Sequence, residues 1–283
     1  MTSAFSPLIY WCPRHVIRRP SVRAFSSISH SDIPSFLRYA HISGLDPTKT
    51  VFTGTLYEYT VLSALTRLSG ISLARVGGRD DAGVDLQGSW ELPQMTTPSS
   101  PIKQQKAIKI PLIIQCKNVN EKSWKGPQYV RELDGALVSQ PSDALGVLAC
   151  PRDMTPGMKK QMFASKRALG FIKVTPLEGI YKIGEGELTS ALLDTYLEGS
   201  GDGQGKHEFA TFHLTGRGGL LQQFAWNQVA KRYLGRFGIS ARYVPKNYGA
   251  RGVDLGEVAT VFEDEALEQE IALTWNGIPM FKA

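Results

Sequence analysis

Apolar positions along the chain change their period several times, and those changes delimit its elements. Between Gly54 and Gly70, the residues Tyr57, Val61, Ala64, Leu65 and Leu68 fall on one helical stripe. Ile71 to Val76 and Val84 to Trp90 read instead as strands, joined by the turn-forming run Gly77-Gly78-Arg79-Asp80-Asp81. Residues 91–107, rich in Pro, Ser, Gln and Lys, predict a loop or hairpin tip. A strand from Ile110 to Cys116 follows, then an amphipathic helix around Tyr129 to Leu137. Next come a buried strand Leu145 to Cys150, a helix from about Thr155 to Leu169 and a strand Phe171 to Val174. This order predicts an α/β fold with a mixed central sheet flanked by helices. A helix links the third and fourth strands, so they are expected to run parallel as a βαβ unit.

Beyond Val174 the composition changes. Glu198 to His207, EGSGDGQGKH, is a linker by composition. The chain is therefore expected to divide into an N-terminal segment 1–31, a main domain 32–197 and a small α/β module 208–283. Within that module, an amphipathic helix is expected from about Leu220 to Leu234 and a strand from Ile271 to Trp275. Phe237-Gly238-Ile239-Ser240-Ala241-Arg242 and Gly252-Val253-Asp254-Leu255 echo Ser69 to Arg75 and Gly83-Val84-Asp85-Leu86. The echo admits two readings: a degenerate half-repeat with Asp254 as its unpartnered acid, or the general likeness of helix–strand units.

The 283 residues suffice to bury a core, and no stretch has the 18 or so unbroken apolar residues of a bilayer-spanning helix. Cys12, Cys116 and Cys150 have no CxxC spacing, which excludes a disulfide framework or a zinc cluster. The net charge of +6 is concentrated at one end. Residues 1–31 contain Arg14, Arg18, Arg19 and Arg23 and no acid, among Ser and aromatic residues, a composition of mitochondrial targeting segments. Arg23-Ala24-Phe25-Ser26-Ser27 resembles an arginine-containing presequence cleavage site. Cutting after Phe25 leaves 28 basic against 26 acidic residues, a net of +2. The alternative is a basic arm that binds nucleic acid.

Strand alternation then brings chemistry together. In Leu112 to Lys117, Gln115 and Lys117 project to one side while Ile114 and Cys116 face the core. In Gly83-Val84-Asp85-Leu86, Val84 and Leu86 are expected to pack inward and Asp85 to project the other way. An acid on one strand and Gln-x-Lys on the next can converge. A turn acid and a snorkelling lysine are the plainer alternatives.

Gly54-x-x-Tyr57-Glu58, Gly83-Val84-Asp85, Gln115-Cys116-Lys117 and Arg131-Glu132-Leu133-x-Gly135, in that order, resemble the Mrr-type branch of the PD-(D/E)xK nuclease superfamily. The resemblance covers about residues 50–180. The whole chain, N-terminal segment included, also resembles the fungal mitochondrial "required for respiratory growth" proteins. The nuclease resemblance implies a restriction-endonuclease-like sheet. It also implies Asp85 and Gln115 as ligands of Mg²⁺ or Mn²⁺, Lys117 as the water-orienting, charge-stabilising residue and Glu58 as an accessory acid. Glu58 has a second reading, because Thr55-x-x-Glu58 fits a capping box. Arg75 and Arg79 flank the Gly-Gly turn and could grip phosphates, or belong to a solvated loop. Lys103, Lys106, Lys109, Lys122 and Lys125 bracket the third strand as a basic rim or as linker charge. Two functions are expected from these features. One is a divalent-metal-dependent nuclease of the mitochondrial matrix that supports genome maintenance or expression and respiratory growth. The other is a catalytically inactive binding or scaffold protein on the same fold.

Overall fold

The computed structural model describes residues 30–76, 83–92, 108–119, 124–185, 208–214, 217–246, 248 and 267–282, with side chains left aside over 180–185 and 208–214. The targeting segment, the Gly77 to Asp81 turn with Arg79, the linker and Asp254 lie outside the described residues, as does most of the 91–107 insertion.

The described chain opens with a helix that the apolar pattern did not single out. In α1 (Ile33–Ser43), the Asp32 carboxylate accepts the Ser35 N–H at 2.8 Å and Ser35 reciprocates, while Gly44 closes the helix at φ 63°. Ile33, Phe36 and Ala40 pack on Phe52, Leu56 and Tyr59 of α2 (Thr50–Thr66). The opposite side of α2 sends Tyr57, Val61, Ala64 and Leu65 into the sheet. Covered on both sides, α2 has little polar face to show. It also begins at Thr50, so Thr55 and Glu58 lie mid-helix and form no capping box. That reading of Glu58 is corrected.

The central sheet runs β1 (Ile71–Arg75), β2 (Leu86–Leu92), β3 (Ile108–Cys116), β4 (Leu145–Cys150), β5 (Ala168–Val174) and, at its far edge, β8 (Leu221–Trp226). β1, β2 and β3 are antiparallel neighbours, β3, β4 and β5 are parallel, and β8 closes antiparallel on β5. The mixed α/β sheet is as expected, including the parallel β3–β4 pair. Its two faces are covered by different helices. Leu112, Ile114, Val147 and Ile172 lie under α2. Ile113, Leu148 and Phe171 lie under α3 (Pro127–Ala136) and α4 (Pro156–Ala164). Every residue of β4 is buried, as befits a strand covered on both faces.

Two helix boundaries differ from expectation. The helix expected over Thr155 to Leu169 stops at Ala164, where Ser165 turns extended and Ala168 begins to pair with Leu145. The helix expected over Leu220 to Leu234 is instead strand β8 followed by the short α5 (Lys231–Leu234). Leu221 and Phe224 stand three apart, a helical spacing, and share one core as a strand because the pairing with β5 shifts register between Lys173 and Val174. Asn227 fixes the join. Its Oδ1 accepts the Leu169 and Ala230 N–H groups, and its Nδ2 donates to the Met162 and Arg167 carbonyls.

Between β5 and β8 the chain forms an antiparallel hairpin, β6 (Gly179–Glu185) with β7 (Glu208–Leu214). The C-terminal sheet, β9 (Phe237–Pro245), β10 (Leu267–Trp275) and β11 (Ile278–Pro279), puts Phe237, Leu273 and Trp275 into the same core as Leu65, Trp90 and Phe224. β9 pairs directly with β10, whereas β1 and β3 each pair with β2, so the strand pairings of the two echoing segments differ. Glu270 on β10 anchors this sheet to the rest. Fully buried, it accepts Arg67 Nη2 at 2.8 Å, Arg242 Nη2 at 2.5 Å and the Leu221 N–H at 3.2 Å. The Arg–Glu–Arg triad thus ties the end of α2 to β8, β9 and β10.

Candidate functional site

The register of the sheet brings the predicted residues to one end of it. Arg75, the last residue of β1, lies opposite Leu86, which lies opposite Ile114. Asp85 stands just before β2, and Gln115, Cys116 and Lys117 stand at the outgoing end of β3. The Asp85 N–H donates to the Ile114 carbonyl at 3.0 Å, and the Cys116 N–H donates to Asp85 Oδ2 at 2.6 Å. The acid is therefore locked against the Gln-x-Lys strand by a charge-assisted hydrogen bond. Past the strand, the Lys117 N–H still bonds the Ala149 carbonyl at 2.8 Å, and Asn118 Nδ2 reaches the Thr53 carbonyl of α2 at 3.0 Å.

The side chains before β2 do not alternate as expected. Val84 packs with Ile113 and Tyr129 on the α3–α4 side, whereas Leu86 packs on the α2 side. Regular pairing begins only at Leu86, and Gly83 before it turns with φ +82°. A Cβ at Gly83 would approach Gln115 Nε2 to 3.1 Å. Gly83→Ala should therefore lower stability by about 1–2 kcal/mol through left-handed backbone strain and push the amide aside. A thermal melt checks this; an unchanged midpoint would contradict it.

Gln115 is 2% exposed, and among the described residues its Oε1 has no hydrogen-bond partner. A buried amide oxygen left without a donor is costly and calls for an explanation. Its nearest acid along the backbone ladder is Asp85. This donor set, one carboxylate and one neutral oxygen, suits a hard cation that retains several waters, as Mg²⁺ does. Among the described residues no three His, Cys, Asp or Glu side chains converge, so a metal here would rest on Asp85 and Gln115.

Charged groups surround Cys116. Burial pushes its thiol well above the usual range, Asp85 and Glu58 push it further, and Lys117 and Arg75 oppose them. Burial likewise pushes Cys150 up, to about 12. Burial thus favours the protonated form of both thiols.

Glu58 receives the Arg75 guanidinium in a half-buried ion pair, and Arg75 also lies 5.7 Å from the centre of the Tyr59 ring. The arginine considered for phosphate thus sits against the accessory acid. Lys117 Nζ pairs with Glu132 Oε2 of α3 at 3.2 Å and lies 5.4 Å from the Tyr129 ring centre. Glu132 was not among the candidate residues, although it lies in the Arg-Glu-Leu-x-Gly motif. Its pairing with Lys117 depends on how α3 crosses the sheet, which no local spacing encodes. Lys109 pairs with Glu91 on the exposed β2–β3 edge. Glu58, Asp85 and Glu132 against Arg75 and Lys117 leave one formal negative charge in the cluster, which favours a cation.

The chain is similar to an uncharacterized mitochondrial protein of Schizosaccharomyces pombe, 34% identical over 148 residues that make up 52% of this chain and 55% of that one. It is 27% identical over 184 residues to the mitochondrial required for respiratory growth protein 7 of Vanderwaltozyma polyspora, covering 53% of this chain and 73% of the relative. To the protein of that name in Kluyveromyces lactis it is 36% identical over 114 residues, 32% of this chain and 48% of the relative. The match thus spans about half the length of the fission-yeast relative. No solved structure matches the chain. The family model described as required for respiratory growth protein 7 matches residues 49–228, from the start of α2 through β8 and including every residue of the cluster. The chain belongs to the required for respiratory growth protein 7 family.

Proposed function

We propose that the chain is a nuclease-like protein of the PD-(D/E)xK type, Mrr branch, that acts on nucleic acid with Mg²⁺ or Mn²⁺ in the mitochondrial matrix. Through that activity it supports mitochondrial genome maintenance or expression and respiratory growth. The observation that carries the reading is the juxtaposition of Asp85, hydrogen-bonded to the Cys116 amide, with a buried Gln115 oxygen that has no donor among the described residues and with Lys117 two residues on. A bound divalent cation would neutralise the scissile phosphate and lower the pKa of a coordinated water. Asp85 and Gln115 would hold it, and Lys117 would steady the attacking water and the charge that develops on the phosphoryl oxygens. Glu58 is balanced by Arg75, so Asp85 supplies the net negative charge of the site, and Glu132 orients the lysine.

The test is incubation of the chain from Ser26 onward with single- and double-stranded DNA and RNA, with and without Mg²⁺ or Mn²⁺. Metal-dependent release of shortened products is expected from at least one of the four. No cleavage of any of them would refute the reading. A second reading, a scaffold that binds without cleaving, draws on the Lys117–Glu132 pair, which occupies the lysine that the chemistry requires.

The matrix address rests on the acid-free arginine segment, on relatives named as mitochondrial and on the absence, among the described residues, of any helix long and apolar enough to cross a membrane. Residues 1–25 fused to a fluorescent reporter should carry it into mitochondria; a reporter that stays in the cytosol would contradict the address.

A further inference from the structure

Among the described residues, β9 is the longest strand at a sheet edge. The central sheet ends on β1 and β8, of five and six residues, whereas the C-terminal sheet ends on β11, of two, and on β9, of nine. β9 pairs along its whole length with β10, and among the described residues nothing pairs with its other side. The ladder shows which backbone groups that side presents. The Asn276 N–H donates to the Arg236 carbonyl at 3.3 Å, so Arg236 faces β10, and alternation turns the backbone groups of Ile239, Ala241 and Tyr243 outward. Leu273, the partner of Ile239, agrees with this, because its carbonyl accepts the Met280 N–H on the far side of β10.

The same three residues carry the exposed apolar side chains. Ile239 is 43% and Tyr243 68% exposed, Ala241 is exposed too, and Leu267 opposite Pro245 adds a fourth. Pleating puts all four on the face that sends Phe237, Leu273 and Trp275 into the core, so the sheet overhangs the core by an apolar margin. Natural edge strands are blunted by charges, prolines or bulges. β9 has no bulge, its proline comes only at the last position, and its lone charge, Arg242, is turned to Glu270 on the opposite face.

We propose that β9 is the surface through which two copies of this chain pair, antiparallel about a two-fold axis at Ala241. That register sets Ile239 opposite the partner's Tyr243, an aromatic–β-branched pair of the kind that stabilises sheets. Ala241 meets the partner's Ala241, where small side chains let the backbones close, and about six ladder hydrogen bonds join the strands. Arg242 lies opposite the partner's Ser240, so no like charges meet. A second copy fits this edge better than a foreign strand, because its outward residues read apolar, small, apolar in both directions, as a self-complementary contact requires.

Sedimentation velocity over a rising concentration series, with the chain from Ser26 onward, tests the proposal. A monomer–dimer equilibrium in the micromolar range is expected, as suits a contact smaller than a standard interface. Tyr243→Lys, at an exposed site, should weaken dimerisation roughly tenfold, because the two-fold breaks the Ile–Tyr pair twice. Its melting midpoint at low concentration should match that of the parent. Crosslinking reads the register directly, with the parent as control for Cys116 and Cys150. Facing residues of an antiparallel pair lie roughly 5.5 Å apart, so a short dithiol-reactive reagent should join two copies of Ala241→Cys. It should not join two copies of Tyr243→Cys, whose sites lie roughly 14 Å apart along the paired strands. A chain that stays monomeric throughout would overturn the proposal and leave the edge to a foreign strand. A dimer unmoved by Tyr243→Lys, or one in which Tyr243→Cys crosslinks as readily as Ala241→Cys, would overturn it as well.

Discussion

Asp85→Asn and Lys117→Ala should each lower metal-dependent cleavage by a hundredfold or more, while the fold stays within about 1 kcal/mol of the parent. The rate expectation follows from where the groups act. One removed electrostatic stabiliser of a transition state typically costs about 10²–10³ in rate. The stability expectation follows from what each side chain does in the resting fold. The carboxamide introduced by Asp85→Asn keeps an oxygen able to accept the Cys116 N–H, so the lock between β2 and β3 persists. Lys117 is 27% exposed and its partner Glu132 is 37% exposed, and surface pairs of this kind contribute about 0–1 kcal/mol. Binding should separate the two variants. Asp85→Asn removes a negative charge near the phosphate and should tighten metal-free binding, whereas Lys117→Ala should weaken it. Single-turnover cleavage with thermal melts on the same preparations checks both halves. A large loss of rate matched by a large loss of stability would mean that the residues hold the fold rather than perform chemistry.

Glu270→Ala should have the opposite signature, a severe loss of stability from a residue far from the cluster. The carboxylate is fully buried and receives Arg67, Arg242 and the Leu221 amide. Removing it leaves two guanidinium groups facing one another with no countercharge. Deleting one partner of a buried ion pair costs about 3–5 kcal/mol. For a chain of this size that is a midpoint shift of roughly 10 °C. The triad itself is not required for stability in principle, because apolar groups of similar volume often replace a buried ion pair without loss. The triple variant Arg67→Met, Glu270→Leu, Arg242→Met should therefore melt well above Glu270→Ala. A Glu270→Ala midpoint within a degree or two of the parent would show that the triad does not hold the C-terminal sheet.

How much of this was legible in the sequence depends on how local each determinant is. Strand β4 was readable to the residue, because a short apolar run that follows Ser142-Asp143 and stops at Pro151 is too brief for a buried helix. The backbone approach of Asp85 to the end of β3 was readable, since antiparallel neighbours bring the ends of β2 and β3 together, but the alternation expected for Val84 and Leu86 did not hold, because regular pairing begins only at Leu86. Leu221 to Trp226 was misread as a helix because Leu221 and Phe224 stand at a helical spacing of three, which the strand accommodates only through the register shift in its pairing with β5. The Glu58 capping box failed because α2 starts four residues earlier than its apolar stripe suggests. Helix α1 left its signals in Asp32, Pro34, Ser35 and Gly44, but its apolar face is short. The Lys117–Glu132 pair and the Arg67–Glu270–Arg242 triad join residues 15 to 203 positions apart in the chain. No periodicity encodes such meetings; they exist only once helices and sheets are docked.

If the protein works in mitochondria through the chemistry of Asp85 and Lys117, complementation shows it most directly. In a fungal strain lacking its own copy, the full-length chain should restore respiratory growth. The Asp85→Asn, Lys117→Ala double variant, present in mitochondria at the same abundance, should not. Full restoration of growth by the double variant would contradict the claim, leaving the fold in place and the chemistry without a role.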